Sequence, residues 1–288
     1  IKCGLFLGSK QGLIFYILQP SFHKNNLLSH SFVFIVSAIS SLQKIGKILL
    51  NGGVIAVPTD TVYGLACCGL NTQALKRLYE IKGRDAAKPM AICLDKASSI
   101  HQWCNTSHIS EKLLATLLPG PVTVILPRRQ PLDPLSPLLN PGVAEIGIRV
   151  PDHFVVREIP EALATAFRDS SKDCLSGLHI PDVAAVAGAM ALPIVLTSAN
   201  PSGFQSTLAP EEFQSLWPQL DLIIDGGRIV TNESEGLDPG DHNASRAGST
   251  VVDLSECVRS PGSNLYTIVR EGRCVLIFSP FLPTFHLK

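Results

Sequence analysis

Four polar stretches in this sequence sit at the ends of apolar runs. Thr59, Asp60, Thr61 and Tyr63 directly follow VIAVP at 54–58, and Thr197, Ser198 and Asn200 close PIVLTS before Pro201 and Gly203. Ser249 and Thr250 open GSTVVD, and Arg149 ends IGIRV. If the runs are strands, these side chains emerge at strand ends, where open α/β sheets usually bind ligands. Taken singly, the Thr, Ser and Asp residues serve a capped turn equally well, because they satisfy nearby backbone groups. The richest basic stretch is 76–88, where Lys76, Arg77, Lys82, Arg84 and Lys88 face Glu80 and Asp85, five minus two giving +3. A guanidinium fork and an ammonium point charge together suit a polyphosphate. Composition alone favours a solvated charged loop.

Other chemistries lack their residues. There is no GxxxxGK[ST] or GxGxxG, so neither a Walker loop nor a Rossmann fingerprint applies. Ser198 lies in no GxSxG elbow, and His153 and His179 have no evident catalytic partner. The eight cysteines (Cys3, Cys67, Cys68, Cys93, Cys104, Cys174, Cys257, Cys274) form no CxxC pair and no zinc spacing with histidines, and read as reduced core thiols. Lys plus Arg is 24 and Asp plus Glu is 24, so no global field draws the chain to nucleic acid, and anion binding must be local.

The elements that would carry these residues alternate. LQKIGKILLNGG at 42–53 and TQALKRLYEIKG at 72–83 have helical apolar spacing and end in glycine. Two more helices are read near 109–118 and at EEFQSLW, 211–217. Strands are read at 54–58, 89–94, 122–126, 145–150, 193–198, 222–225, 249–254 and 265–270. The interleaving predicts one α/β domain with a mostly buried sheet, over about 41–272. Residues 127–142, with five prolines, read as a surface loop of the kind that forms an active-site lid, and 228–248 as a solvated insertion. Residues 1–40 form an atypical extension: the apolar runs at 12–18 and 32–39 are too short to span a membrane, and the absence of acidic residues is a weak transit-peptide signal. The chain begins with Ile1, which reads as a fragment, and 273–288 is an apolar, proline-interrupted tail without clear period.

In order and spacing, GGVIAVPTDTVYGLAC, KGRDAAKPM, LLPGPVTVIL, GIRVPDH, TSANPSG and GSTVVDL resemble the YrdC family, over about 42–272. LYEIKGRDAAKPMAICL and EEFQSLWPQLDLIIDGG resemble its animal members most closely. The resemblance implies a twisted mixed sheet with flanking helices and a large concave positively charged cavity, in which L-threonine, bicarbonate and ATP give threonylcarbamoyl-AMP and pyrophosphate. Magnesium would arrive with ATP, held largely by phosphate and water. The product would pass to a tRNA threonylcarbamoyl transferase complex, with weak RNA binding and a cytoplasmic location, or also a mitochondrial one if 1–40 is a transit peptide. By the same resemblance, Lys82, Arg84, Lys88, Ser198, Asn200, Ser206 and Arg270 serve ATP, and Thr61, Arg149 and Ser249 serve threonine. A histidine that contacts threonine in some members is Cys93 here. The alternatives are a YrdC-like module that binds RNA or nucleotide without synthesis, and a carbamoyl transferase, whose zinc-finger and acylphosphatase regions are not among these residues. On the synthase reading, Arg84→Ala should lower threonine-dependent pyrophosphate release by at least about tenfold, or about 1.4 kcal/mol, measured by coupled pyrophosphate assay.

Overall fold

Helix α1 (Ala38–Leu50) delivers Ile45, Leu49 and Leu50 to the core and ends where Gly52 takes a positive φ of 86°. The computed structural model describes residues 16–20, 30–34, 38–83, 88–129, 133, 135–170, 178, 186, 188–230, 246–260, 262–263, 265–274 and 286–287, with side chains between 41 and 274. Arg84 and Asp85 of the basic turn, His179, Cys3, Cys174 and most of the 228–248 insertion lie outside the described residues.

After α1 come β3 (Ile55–Val57) and β4 (Gly64–Cys68), preceded by β1 (Tyr16–Pro20) and β2 (His30–Phe34). Then follow α2 (Thr72–Lys82), β5 (Ala91–Cys93), α3 (Glu111–Leu117), β6 (Val122–Pro127) and β7 (Glu145–Arg149). Next are α4 (Phe154–Arg168), β8 (Ile194–Ser198), β9 (Leu222–Asp225), β10 (Thr250–Asp253), α5 (Ser255–Arg259), β11 (Leu265–Arg270) and β12 (His286–Leu287). The described strands form one mixed sheet in the order β12-β11-β10-β6-β7-β5-β8-β4-β3-β9-β1-β2, flanked by helices in a single α/β domain.

The central strands β3 and β4 are buried at every position, as unbroken apolar runs covered on both faces should be. Asn71 fastens two helices: its Oδ1 accepts from Ala74 N at 2.9 Å to cap α2, and its Nδ2 donates to Leu50 O at 3.3 Å. At the other end of α2, Gly83 adopts the left-handed conformation, with φ 53° and ψ 36°. The hairpin β1–β2 extends the sheet from the stretch read as an extension, with Tyr16 opposite Asp225.

The structure differs from the sequence reading in several places. Strand β4 escapes it because GLACC is a short run of small residues beginning at glycine. Helix α4 escapes it because Pro160 breaks the pattern, although Val155, Val156, Ile159 and Leu163 carry the helical spacing and are buried. EEFQSLW forms part of a 3-10 segment, Pro210–Gln219, kinked at Phe213. The proline-rich stretch is no lid in its described part: Arg128 pairs with Asp133 at 2.5 Å, Leu135 and Leu139 are buried, and Asn140 bonds both backbone groups of Met90. In the tail, Cys274 is buried, and His286–Leu287 pairs in parallel with β11. Among the described residues no helix is long and apolar enough to cross a membrane.

Helices α1 and α4 cross at Gly46, where an added Cβ would stand 2.3 Å from the carbonyl oxygen of Ala162. A backbone atom cannot rotate aside, so Gly46→Ala should destabilise by about 1–3 kcal/mol despite alanine's better helix propensity, read as a lower denaturation midpoint.

Candidate functional site

Alternate residues of adjacent strands share one face of a sheet. On one face of this sheet, Thr123 and Ile125 of β6, Gly147 and Arg149 of β7, Leu196 and Ser198 of β8, and Val251 and Asp253 of β10 line a cavity of about 630 Å³. Ile92, Val124, Ile148, Val195 and Val252 between them point away and are buried. The site therefore lies over a sheet face, not along a carboxyl edge as the sequence reading expects. Neighbouring strands such as β4 and β8, or β6 and β7, run antiparallel, so their ends do not share an edge.

Arg149 anchors the site. It ends β7 beside Thr123 of β6 and Cys93 of β5, and lines the cavity. Its Nη2 donates to Asp60 Oδ1 and, at 2.6 Å, to Thr61 Oγ1. The Arg149 and Asp60 side chains are 9 % and 10 % exposed, so this is a buried ion pair, and the Nε of Arg149 has no hydrogen-bond partner. The turn that presents Asp60 is shaped by Thr59. Its Oγ1 accepts from Thr61 N at 3.1 Å and Val62 N at 3.2 Å, and donates to Val62 O at 2.7 Å. The capped-turn reading of these residues holds, since Thr59 builds the turn that carries Asp60 and Thr61 to Arg149. Thr61 is fully buried, and its hydroxyl meets Arg149 and Thr59, which both line the cavity.

The other polar strand ends converge here. Ala199 N donates to Tyr63 O at 2.8 Å, Tyr63 N donates to Thr207 O at 2.8 Å, and Ser198 and Ser206 both line the cavity. The Tyr63 hydroxyl donates to Gly227 O at 2.7 Å and accepts from Gly226 N at 2.9 Å, and burial raises its pKa. Ser249 Oγ is 2.7 Å from Thr123 Oγ1, and Arg270 Nη2 donates to Ser249 O at 2.7 Å. Ser249 and Arg270 also line the cavity.

Several expected residues stand one layer back. Lys82 is 2 % exposed, and its Nζ donates to Ser198 O at 2.5 Å and to Asn200 O. It closes α2 by holding the Thr197–Asn200 corner in place. Asn200, also buried, donates to Pro201 O at 3.0 Å and Phe204 O at 2.6 Å, shaping the same corner. Lys88 is exposed beside Pro89, which lines the cavity. Arg77 turns away to pair with Asp221 at 2.5 Å. Cys93 is fully buried behind Arg149; burial pushes its thiol pKa up to about 12, with Arg149 pulling the other way, so it packs as a neutral core thiol. Cys67, Cys68, Cys104, Cys257 and Cys274 are likewise free and buried.

Among the described residues the lining carries two arginines, Arg149 and Arg270, and three carboxylates, Glu145, Asp253 and Glu271, with Glu145 paired to Arg259. Positive charge thus sits at two points of the lining. No group of three or more His, Cys, Asp or Glu among the described residues is arranged to hold a metal.

Two residues that matter here are given no specific role by the sequence reading. Asp60 is read only as part of the polar stretch after VIAVP, and its pairing with Arg149 is visible only in the fold. Arg273 donates to Asp60 O at 2.8 Å from the segment placed beyond the domain end, and nothing in that segment's composition signals it.

The comparisons with known proteins agree with this architecture. The Sua5/YciO/YrdC family model, described as telomere recombination, matches residues 47–272. Human threonylcarbamoyl-AMP synthase is 41 % identical over 225 residues, covering 78 % of this chain and 64 % of the human protein, so the chain spans less than two thirds of that relative. The crystal structure of Escherichia coli YciO superposes with a TM-score of 0.58 at 23 % identity, over 81 % of this chain and 90 % of that one. The crystal structure of P. abyssi Sua5 complexed with L-threonine gives a TM-score of 0.58 at 23 % identity, over 81 % of this chain and 54 % of that one. At such identities the structures speak for the fold alone. The family model spans most of the sequence, from the end of α1 to the turn after β11, and on that match this chain belongs to the Sua5/YciO/YrdC family.

Proposed function

We propose that the chain forms threonylcarbamoyl-AMP from L-threonine, bicarbonate and ATP, releasing pyrophosphate, and so supplies N6-threonylcarbamoyladenosine formation in tRNA. The observation that carries this reading is Arg149: a cavity-lining guanidinium, fixed by a buried carboxylate. A planar guanidinium held in this way suits a substrate carboxylate. The name of the human relative and the threonine held by P. abyssi Sua5 support the same assignment.

In this reading Arg149 and Ser249 receive threonine, and Thr61 acts by orienting Arg149. Ser198, Ser206 and Arg270 face ATP across the cavity, and Arg84 and Lys88 supply charge for its phosphates. Lys82 and Asn200 hold the Ser198 corner, and Cys93 packs behind Arg149 without touching threonine. The threonine amine captures bicarbonate with loss of water, or CO2 with loss of a proton, to give a carbamate. A carbamate oxygen then bonds to the α-phosphorus as the bond to the bridging oxygen breaks, and pyrophosphate leaves. No protein nucleophile is needed, so the side chains align the two substrates and offset charge on the phosphates. The described residues do not form a protein-held metal site, and magnesium would enter as part of the ATP complex. The product would then pass, in the cytoplasm, to a tRNA threonylcarbamoyl transferase complex.

The direct test is to incubate the protein with ATP, bicarbonate and labelled threonine and to look for labelled adenylate with matching pyrophosphate. ATP binding without adenylate would favour the RNA- or nucleotide-binding module instead. Two further outcomes are expected. Thr61→Ala should raise the threonine KM about tenfold with little change in the ATP KM, while Thr61→Ser, which keeps the hydroxyl for Arg149, stays close to wild type. Arg149→Lys keeps the charge but loses the fork, and should weaken threonine binding by about tenfold or more in calorimetry.

A further inference from the structure

Directly after β11, residues 272–274 stay on the domain. Residues 272–274 run back along Gly248–Thr250: Arg273 N donates to Gly248 O at 3.0 Å, and Thr250 Oγ1 accepts from Cys274 N and donates to Cys274 O, both at 3.0 Å. The approach is so close that a Cβ on Gly272 would stand 2.4 Å from the Ser249 carbonyl carbon. From this fixed base the Arg273 side chain crosses to the β3–β4 turn, where Nη1 donates to Asp60 O at 2.8 Å.

The contact is long-range in the sheet. Strands β10 and β4 are separated by β6, β7, β5 and β8. At about 4.8 Å per strand, a flat sheet would hold them on the order of 20 Å apart. The turn leaves its own strands and meets Arg149 at the end of β7, two strands from β10, which brings it within reach of one arginine. Asp60 therefore carries two guanidinium groups, Arg149 on its carboxylate and Arg273 on its carbonyl.

We propose that Arg273 is a positioning residue of the site, a strap that locks the segment after β11 onto the Asp60 turn and thereby sets the orientation of Arg149. Its effect on substrate rests on the synthase reading above; the strap itself does not. Removing the guanidinium frees the Asp60 carbonyl, loosens the turn, and misaligns the Arg149 fork toward a carboxylate. A 1 Å displacement of a positioning group is enough to weaken binding substantially.

The test compares wild type, Arg273→Met, which keeps the apolar stem, and Arg273→Lys, which keeps one donor. Amide hydrogen exchange at residues 59–62 and 248–250 reads the strap directly, and steady-state kinetics reads its consequence. Exchange at both segments should rise in Arg273→Met and rise less in Arg273→Lys. The threonine KM of Arg273→Met should increase by at least about fivefold, with kcat and the ATP KM within about twofold of wild type and partial rescue in Arg273→Lys. Unchanged exchange at 59–62, or an unchanged threonine KM in an active enzyme, overturns the proposal. If Arg273→Met does not fold, Arg273→Lys decides by the same two readings. If wild type makes no adenylate, the synthase reading falls, and exchange alone decides the strap.

Discussion

A carboxylate and a guanidinium withdrawn from water must find each other and satisfy their remaining hydrogen-bonding groups, or neither belongs in a protein interior. Asp60 and Arg149 meet most of that demand: Asp60 Oδ2 accepts from Asp152 N at 3.1 Å and Arg149 adds Thr61, which leaves the Arg149 Nε–H without a partner. Removing one partner of such a pair typically costs about 3–5 kcal/mol, because a buried charge is left alone. The pair thus ties two stretches far apart in sequence, the β3–β4 turn and the segment from the end of β7 to the entry of α4. Arg273 adds a third. The cavity takes its form from the sheet, but its chemical polarity at this end comes from that one contact.

The rest of the lining follows the same division between groups that face the cavity and groups that fix them. Ser198 faces inward, while Lys82 and Asn200 hold its backbone. Ser249 faces inward and is held by Thr123 and Arg270, which line the cavity as well. Ser206 lines the rim, and its carbonyl accepts from Arg246, itself paired with Glu212 at 2.6 Å, where the Arg246 hydrogen bond lowers the Glu212 pKa. Hydroxyls preset in this way suit alignment of two polar substrates, where reorganisation at the moment of reaction is the cost to avoid. A chain with 24 acidic and 24 basic side chains places two arginines, Arg149 and Arg270, in a lining that also holds Glu145, Asp253 and Glu271.

Much of the scaffold is legible in the sequence because local rules decide it. The apolar spacing and terminal glycine of TQALKRLYEIKG place α2 and its left-handed cap, and the short runs LIID and LYTIVR are strands at the positions read. Where local signals conflict, the reading fails. Pro160 hides α4, which forms because its apolar face packs on α1. EEFQSLW has helix formers but sits between Pro210 and Pro218, and takes tighter 3-10 turns. GLACC lacks the β-branched signature, yet is driven into the centre of the sheet by its neighbours on both sides.

For the site, the sequence by itself determined the inventory: which strand ends are polar, that no covalent nucleophile or metal cage is indicated, and that anion binding must be local. It also carried the family pattern, since six motifs in order are a property of sequence. What only the tertiary structure decided is which of those residues face the cavity and which stand behind it. Lys82 and Lys88 are alike in sequence, but α2 carries the first into the core and the loop leaves the second at the surface. Cys93 and Arg149 are register partners on adjacent strands and share a sheet face, yet only the longer arginine side chain reaches the cavity lining. Such assignments depend on strand register and sheet curvature, which are set by contacts between residues as distant as Asp60 and Arg273, and no local spacing encodes them.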